Sequence, residues 1–538
     1  MRRHVHAPRR RALLAAAALT LGTTLLALPS PAASAAAPDG WTGTWSVSPQ
    51  SGGPSYGGQT LRQIVHTGIG GASARLRVSN VFGSSPLTVR DVHLARRTAG
   101  AAVDTATDRA VTFGGQTAVT VPAGQSAVSD AAAFTVAAQS DVAVSFYLPN
   151  ATGPATYHQQ GTQTNYVASG DVSAAGTLNN PSTTGSYAFL SNLDVQNAAA
   201  QGAVVAFGAS ITDGVASAQD SNRRWPNDLA ARLAAGGRTV GVLNQGISGN
   251  RLLADGAGPS ALNRFDRDVL GQPGVRWVIF SDDPLNDLGG ANPPTGAQLI
   301  AGLQQLISRA HQAGVAFLCS TLTPFEGAGY WTPAGETGRE ALNAFVRGAD
   351  SGCDGVVDQD TATHDPAHPT RYLPAYDSGD HLHPDEAGLQ AIADAVNLNL
   401  FGAQPPTGSF VALRSHANGR YVTAENAGAS ALIADGDAAG AWQQFDEVNE
   451  GNGLIALRAH ADGMFVTAEN AGAAPLIANR AAAALWETFQ LVQNPDHSVS
   501  LRAQVNGRYV TAENAGAAPL VANRDAVGPW EEFDLVQP

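Results

Sequence analysis

The chain contains no lysine: all 31 basic residues among its 538 are arginine. With 59 Gly and a large excess of Ala, this points to the coding bias of a GC-rich bacterium rather than to a function. Positive charge is scarce overall. The 45 acidic residues leave a formal net charge of −14, so nothing gathers polyphosphate and nucleic acid is excluded as an expected partner. Cysteine is nearly absent. Cys319 and Cys353 are too few for a metal-binding set and fit no catalytic cysteine pattern. One lies in an apolar stretch, VAFLCSTLTP, and the other just before GVVD, so a disulfide and two buried thiols both remain open. Past the N-terminus no segment offers about 18 uninterrupted apolar residues, which excludes a later membrane-spanning helix.

What is present begins with a targeting signal. Five Arg precede an apolar run, about Ala12–Leu28, which is followed by Ala33-Ser34-Ala35. These are the three parts of a secretory signal peptide over residues 1–35, and the run is short for a membrane anchor. The Arg cluster leaves a twin-arginine export route open. Removing this segment takes away five Arg and no acid, making the mature chain more negative still. The expected location is secreted and extracellular.

The length is too great for one core, so several domains are expected. Residues 41–200 hold short alternating apolar runs (ARLRVSNVFG, AVTVPAG, DVAVSFYLPN) separated by Gly, Pro, Ser and Asn, the pattern of an all-β sandwich. From 201 to 402, apolar strands (AVVAFG, TVGVLNQG, VRWVIF, VAFLCSTLTP, GVVDQD) alternate with helix-like stretches at 223–235, 295–314, 338–349 and 385–400. That alternation predicts a parallel sheet covered on both faces, an α/β/α layering with its site beyond the carboxyl ends of the strands. QPPTGS reads as a linker. Over 408–538 a unit repeats every 44 residues, beginning at Leu413, Leu457 and Leu501. Three short β-rich copies that cannot each bury a core predict a closed three-fold β-trefoil.

The first strand of the α/β region runs VVAFGASITDG and ends in a serine between small residues. A strand that aims a hydroxyl into a cleft needs such neighbours, because a substrate must approach its backbone. Acyl transfer then requires a base, an acid that orients the base, and donors for the oxyanion. Asp380 and His383 are separated by two residues, so a single turn can set the carboxylate on Nδ1 while Nε2 faces Ser210. The backbone N–H groups of Ser210 and Gly249 and the Asn286 side-chain amide are the candidate oxyanion donors. Each residue taken alone has a plainer explanation as a turn or helix-start residue, and His381 is expected to be exposed. His364 and His368 have loop spacing, so neither a metal nor another cofactor is expected.

Four blocks in this region, GASITDG, NQGISGN, PLNDLG and DHLH, together resemble the SGNH (GDSL) hydrolases over about residues 201–400. The resemblance implies a flavodoxin-like three-layer fold and a serine esterase or lipase mechanism. It places Ser210, Asp380 and His383 as the catalytic triad and Ser210, Gly249 and Asn286 at the oxyanion hole. Two positions depart from the family. Ala209 stands where an Asp usually precedes the serine, and Pro284 replaces a Gly before Asn286. Pro fixes φ and lacks an N–H, so a displaced Asn286 loop is expected. Asp282 and Asp283 add carboxylates that, facing the cleft, would repel anionic substrates or raise the pKa of His383.

Each C-terminal repeat carries an aromatic residue near its start (Tyr421, Phe465, Tyr509), a TAENAGA turn and a Trp near its end (Trp442, Trp486, Trp530). A flat ring suits a pyranose face, while carboxylates and amides suit hydroxyls; the alternative is that the Trp rings fill the trefoil core. The repeats resemble fascin-like β-trefoil carbohydrate-binding modules. That resemblance implies up to three glucan sites built on these Trp residues with Glu487 and Glu531. The first repeat has Gln443 in place of Glu and ADG in place of ANR, so a weaker site is expected there. The combined expectation is a secreted esterase that removes acetyl or other short acyl groups from a polysaccharide, with a β-glucan as the candidate polymer. A lipase or lysophospholipase, a glycoside hydrolase using Asp213, Asp282 or Asp283, and a non-catalytic glucan-binding protein are the alternatives.

Overall fold

The structure is a computed structural model and describes residues 40–538, apart from 349–350, 402–409, 427, 452–453, 462, 481–482, 497 and 537–538. The expected signal segment and the QPPTGS linker lie outside the described residues. Among the described residues no helix is long and apolar enough to cross a membrane.

From Trp41 to Gln196 the chain forms antiparallel strands, with one 3-10 turn at Thr105–Thr107. The stretch SARLRVS becomes the strand Ser73–Ser79, burying Ala74, Leu76 and Val78 while the two arginines between them face away, as a period of two requires. A four-stranded sheet (Trp41–Ser46, Leu190–Gln196, Ser73–Ser79, Ser126–Val128) and an eight-stranded sheet built around Gln59–His66, Asp141–Leu148 and Leu87–Ala99 share one apolar core. Leu76, Val78, Leu193 and Val195 enter it from the first sheet, and Val65, Leu94, Val144 and Phe146 from the second.

The central region holds a five-stranded parallel sheet. The strand Gly202–Gly208 is flanked by Val240–Gly246 on one side and Val275–Phe280 on the other, with Ala316–Ser320 and Gly355–Val357 beyond. All seven residues of Gly202–Gly208 are buried, which explains its unbroken apolar run. In chain order the strands lie 2-1-3-4-5, the flavodoxin-type order, so the connections diverge on either side of Gly202–Gly208 and open a crevice at its carboxyl end. Helices Trp225–Ala235, Gly296–Gln312, Pro333–Arg347 and Glu386–Ala395 accompany the sheet. Thr295 starts the second of these with a capping box closed by Gln298.

Two expected strands are shorter than their sequence pattern. VAFLCSTLTP is a strand only over Ala316–Ser320; its remainder is a buried loop in which the Leu322 N–H donates to Asn343. GVVDQD ends as a strand at Val357, because Asp358 caps a short helix, Gln359–Thr363. Cys319 and Cys353 form a disulfide, settling the pair of alternatives left by the sequence.

The N-terminal strands are joined to this sheet through buried polar groups. The Ser48 hydroxyl accepts from Arg264 Nη1 at 3.0 Å and lies 2.6 Å from Gln245 Oε1 and 3.0 Å from Asp268 Oδ2. Gln245 Nε2 donates to Ser46 Oγ at 2.7 Å. The fully buried Arg264 guanidinium stacks 4.0 Å from the Phe207 ring and reaches Asp283 on its other side.

At the C-terminus six strands close a ring: Phe410–Ser415, Phe445–Gly451, Leu454–Ala459, Thr488–Gln493, Val499–Ala503 and Phe533–Val536, the last pairing back with the first. Three hairpins, one per repeat, extend from it. Equivalent positions of the repeats fill one core, among them Leu413, Leu457 and Leu501, and Phe445, Phe489 and Phe533.

Candidate active site

The serine sits where the first parallel strand turns into a one-turn helix, Ser210–Asp213, at the mouth of the crevice. Asp282, arriving from the end of the adjacent strand, holds this turn from beneath. Its carboxylate accepts from the N–H groups of Ala209 (2.9 Å), Ile211 (2.8 Å) and Thr212 (3.3 Å) and from the Thr212 hydroxyl (2.6 Å). Gly208 makes room for this arrangement: a Cβ there would stand 2.4 Å from Asp282 Oδ1 and 2.2 Å from Thr212 Oγ1. The turn therefore has a supporting carboxylate although residue 209 has none.

Ser210 Oγ is 2.9 Å from His383 Nε2, and His383 Nδ1 is 2.6 Å from Asp380 Oδ2. Asp380 also accepts from the N–H groups of Leu382 and His383 at 2.9 and 2.8 Å, so the Asp-x-x-His turn closes on its own carboxylate. Desolvation pushes the Asp380 carboxyl up, but the His383 ring and these two N–H groups outweigh it and bring it down to about 2. His381, exposed as expected, bonds to Asp377 and stays out of this chain.

The oxyanion candidates border one cleft. Gly249 borders the cleft with φ of +78°, a left-handed conformation that suits glycine. Asn286 lies on the short helix Asp283–Asp287, in which Pro284 occupies the first turn, where a missing N–H costs nothing. Asn286 borders the same cleft as Ser210 and Gly249 with Pro284 in place. Asn286 Nδ2 donates to the Asn250 carbonyl at 2.9 Å, and its Oδ1 accepts from the Tyr330 hydroxyl at 3.3 Å. One N–H of the amide is thus left for an oxyanion.

Asp282 and Asp283 do not face the cleft. Both are buried, the first beneath the serine turn and the second against Arg264 and the Asn250 amide, which donates at 2.8 Å. Burial pushes the Asp283 carboxyl up against the pull of Arg264. Neither is placed to repel a substrate or to serve as the acid or base of a glycosidase. Asp213 is equally committed. Its Oδ2 accepts from the N–H and hydroxyl of Ser248 at 3.0 and 2.6 Å, and its Oδ1 lies 3.0 Å from His158 Nε2. The residue after Ser248 is Gly249, so this carboxylate links the serine helix to the oxyanion loop.

His158 belongs to the N-terminal strands, and that connection was not foreseen in the sequence. Its Nδ1 is 3.0 Å from the Ser48 carbonyl, so the ring bridges the two regions. Gln50, Gln159 and Gln160, also N-terminal, border a cleft of about 420 Å³ that is closed on the other side by Ser210, Gly249, Asn286 and His383. The trace of this in the sequence is the polar run HQQ closing the strand Ala155–His158.

In the repeats the three tryptophans are surface residues, 44%, 36% and 37% exposed for Trp442, Trp486 and Trp530. They do not fill the core; the Phe three positions later in each repeat does. Glu487 and Glu531, expected to offer carboxylates to sugar, are instead buried and accept from the N–H groups of Ala484 and Gly528, both at 2.9 Å. A loop that needs its own N–H groups satisfied has claimed them. Gln443 does the same for Gly440 in the first repeat. More open acids lie next to the residues that hold Trp486 and Trp530. Ala468 and Ala512 donate to the Trp486 and Trp530 carbonyls, and the following Glu469 and Glu513 accept from Asn479 and Asn523 at 2.8 and 2.7 Å. His364 and His368 lie on a small two-stranded hairpin.

Residues 206–391 match the GDSL-like Lipase/Acylhydrolase family. Among solved structures, the lipase/acylhydrolase from Enterococcus faecalis is 21% identical, covering 37% of this chain and 95% of its own with a TM-score of 0.30. A GDSL-like lipase from Bacteroides thetaiotaomicron is 16% identical, covering 37% of this chain and 88% of its own with a TM-score of 0.29. The designed 3-fold symmetric protein ThreeFoil is 23% identical, covering 24% of this chain and 98% of its own with a TM-score of 0.23. No curated protein matches the sequence. Residues 206–391 are a GDSL-like lipase/acylhydrolase domain, and the chain is a carboxylic ester hydrolase.

Proposed function

We propose that this ester hydrolase is a secreted serine esterase that removes acetyl or other short acyl groups from a polysaccharide, between an N-terminal β-sandwich and a C-terminal glucan-binding β-trefoil. The observation that carries the serine mechanism is the unbroken chain from Asp380 through His383 to Ser210, with contacts of 2.6 and 2.9 Å.

Ser210 Oγ attacks the ester carbonyl while His383 Nε2 takes its proton; Asp380 holds Nδ1–H and stabilises the imidazolium. The tetrahedral oxyanion is met by the N–H groups of Ser210 and Gly249 and the remaining N–H of Asn286. Loss of one such donor typically raises the barrier by about 3–4 kcal/mol. Collapse expels the sugar hydroxyl with the proton from His383 and leaves the acyl group on Ser210. Water, deprotonated by His383, then attacks the acyl-serine; collapse of the second tetrahedral intermediate returns that proton from His383 to Ser210 Oγ and releases the carboxylic acid. The exposed Trp442, Trp486 and Trp530 support polymer binding by stacking, with Glu469–Asn479 and Glu513–Asn523 as the polar groups in the second and third repeats. Three weak sites on one polymer gain avidity.

Acetate release from acetylated polysaccharides, measured beside p-nitrophenyl acetate hydrolysis, tests this function. Both activities must vanish in Ser210→Ala. Turnover that survives this change contradicts the serine mechanism, and turnover of p-nitrophenyl acetate without release from any polymer contradicts the substrate.

A further inference from the structure

The cleft has one wall made by the hydrolase domain and one made by the N-terminal strands. The N-terminal wall is polar, and its three glutamines are not equivalent. Gln50 is spent on structure: its Nε2 donates to the Ala257 carbonyl at 3.0 Å and its Oε1 accepts from the Gln159 N–H at 3.0 Å. Among the described residues, the Gln159 and Gln160 carboxamides have no hydrogen-bonding partner within the chain, although both border the same cleft as Ser210. The segment that carries them is nevertheless fixed. His158 is held by the Ser48 carbonyl and Asp213, the Gln159 backbone by Gln50, and Gly161 by the Gly185 carbonyl at 2.8 Å. Past Gly161, Asp220 of the hydrolase domain accepts from Gln163 Nε2 and from the N–H and hydroxyl of Thr164. Gln159 is exposed and Gln160 half-buried, so two amides without a protein partner stand on a fixed backbone at the border of the cleft that holds the nucleophile, open to a ligand.

We propose that Gln159 and Gln160 form the subsite for the hydroxyl-bearing part of the ester, the sugar residue that carries the acyl group, so that the N-terminal region is the specificity element of this enzyme. This rests on the esterase function proposed above and adds where its sugar is read. A carboxamide offers two N–H donors and a carbonyl acceptor, and a hydroxyl both donates and accepts, so each amide can engage neighbouring hydroxyls of one ring. An alkyl chain against the same wall strips water from both amides and returns no bond. The wall therefore selects polyol esters over hydrocarbon esters of the same acyl group.

The test compares Gln159→Ala, Gln160→Ala and the double variant with the full-length enzyme on two acetates: an acetylated glucose or glucan oligosaccharide, and p-nitrophenyl acetate. The quantity read is the ratio of kcat/KM on the sugar ester to that on the aryl ester. Each single change is expected to lower this ratio by roughly three- to tenfold and the double change by more than either, with Gln160→Asn recovering part of the loss. A ratio that stays the same in the double variant overturns the subsite, as does a wild-type enzyme that cleaves ethyl or butyl acetate as well as the sugar ester. If the wild type hydrolyses none of these esters, the esterase function itself has failed. If it hydrolyses p-nitrophenyl acetate through Ser210 without preference for sugar esters, only the subsite has.

Discussion

The N-terminal strands send Ser46, Ser48, Gln50 and His158 into the hydrolase domain, where they meet Gln245, Arg264, Ala257 and Asp213. The C-terminal repeats keep their apolar side chains for a closed ring of their own, and Arg458 reaches Asp354 at 3.6 Å in the domain before them. Both regions are all-β and flank the same parallel-sheet region. The difference lies in where their polar groups go. A region whose buried hydroxyls and amides are satisfied only by a neighbour belongs to that neighbour's fold; a region that closes its own core can be attached without altering it.

The sharpest way to break this comparison is truncation. A chain ending at Phe401 is expected to keep its turnover of p-nitrophenyl acetate. A chain lacking 41–200 is expected to lose it entirely, because Arg264, Gln245 and Asp213 each lose a buried partner; circular dichroism and activity check both. A soluble, active hydrolase without its N-terminal strands would remove the distinction. His158→Ala comes next. It releases Asp213 and with it the Ser248–Gly249 loop, so kcat is expected to fall roughly ten- to hundredfold, more than KM changes. His158→Gln, which can still donate to Asp213, is expected to restore part of the rate. A loss in KM alone would point to the cleft wall rather than to the oxyanion loop.

Ser48→Ala removes the hydroxyl shared by Arg264, Gln245 and Asp268 and is expected to destabilise the chain by about 1–3 kcal/mol in denaturant unfolding. A comparable change on the outer face of the repeat ring is expected to cost little. Within the hydrolase domain, burial pushes the Asp287 carboxyl up to about 6, although it accepts from the Leu252 and Leu253 N–H groups. Between the ordinary aspartate value near 4 and this value, the folded state holds a proton that the unfolded state has lost. Stability therefore falls as pH rises through that window, by on the order of 3 kcal/mol, and Asp287→Asn is expected to flatten this slope. The smallest effect is at the far end of the chain. Trp486→Ala or Trp530→Ala is expected to reduce retention on an insoluble glucan several-fold and to leave p-nitrophenyl acetate turnover alone.

The Asp380–His383–Ser210 contacts were legible because their signals are local: a serine closing an apolar strand, and an Asp-x-x-His turn whose spacing sets a carboxylate on an imidazole. The five parallel strands were legible for the same reason, through unbroken apolar runs such as AVVAF. His158, Gln159 and Gln160 were not, since nothing in an all-β pattern says which strand end will meet a sheet that begins 40 residues later. Whether Asp282 faced the cleft was left open by the sequence, because only the folded serine turn shows the N–H groups that claim its carboxylate. Glu487 and Glu531 were misjudged for a related reason: an acid beside a Trp suits both a sugar site and a buried loop cap, and only burial separates the two. The tryptophans could have been core or surface until Phe445, Phe489 and Phe533 were seen to fill the ring.

The central claim is that Ser210 is a nucleophile activated by His383. Labelling the intact enzyme with a fluorophosphonate, followed by peptide mass mapping, tests it most directly. The account predicts one adduct per chain, on Ser210, and its loss in His383→Ala. An adduct on another residue, or equal labelling of Ser210 without the imidazole, would contradict it.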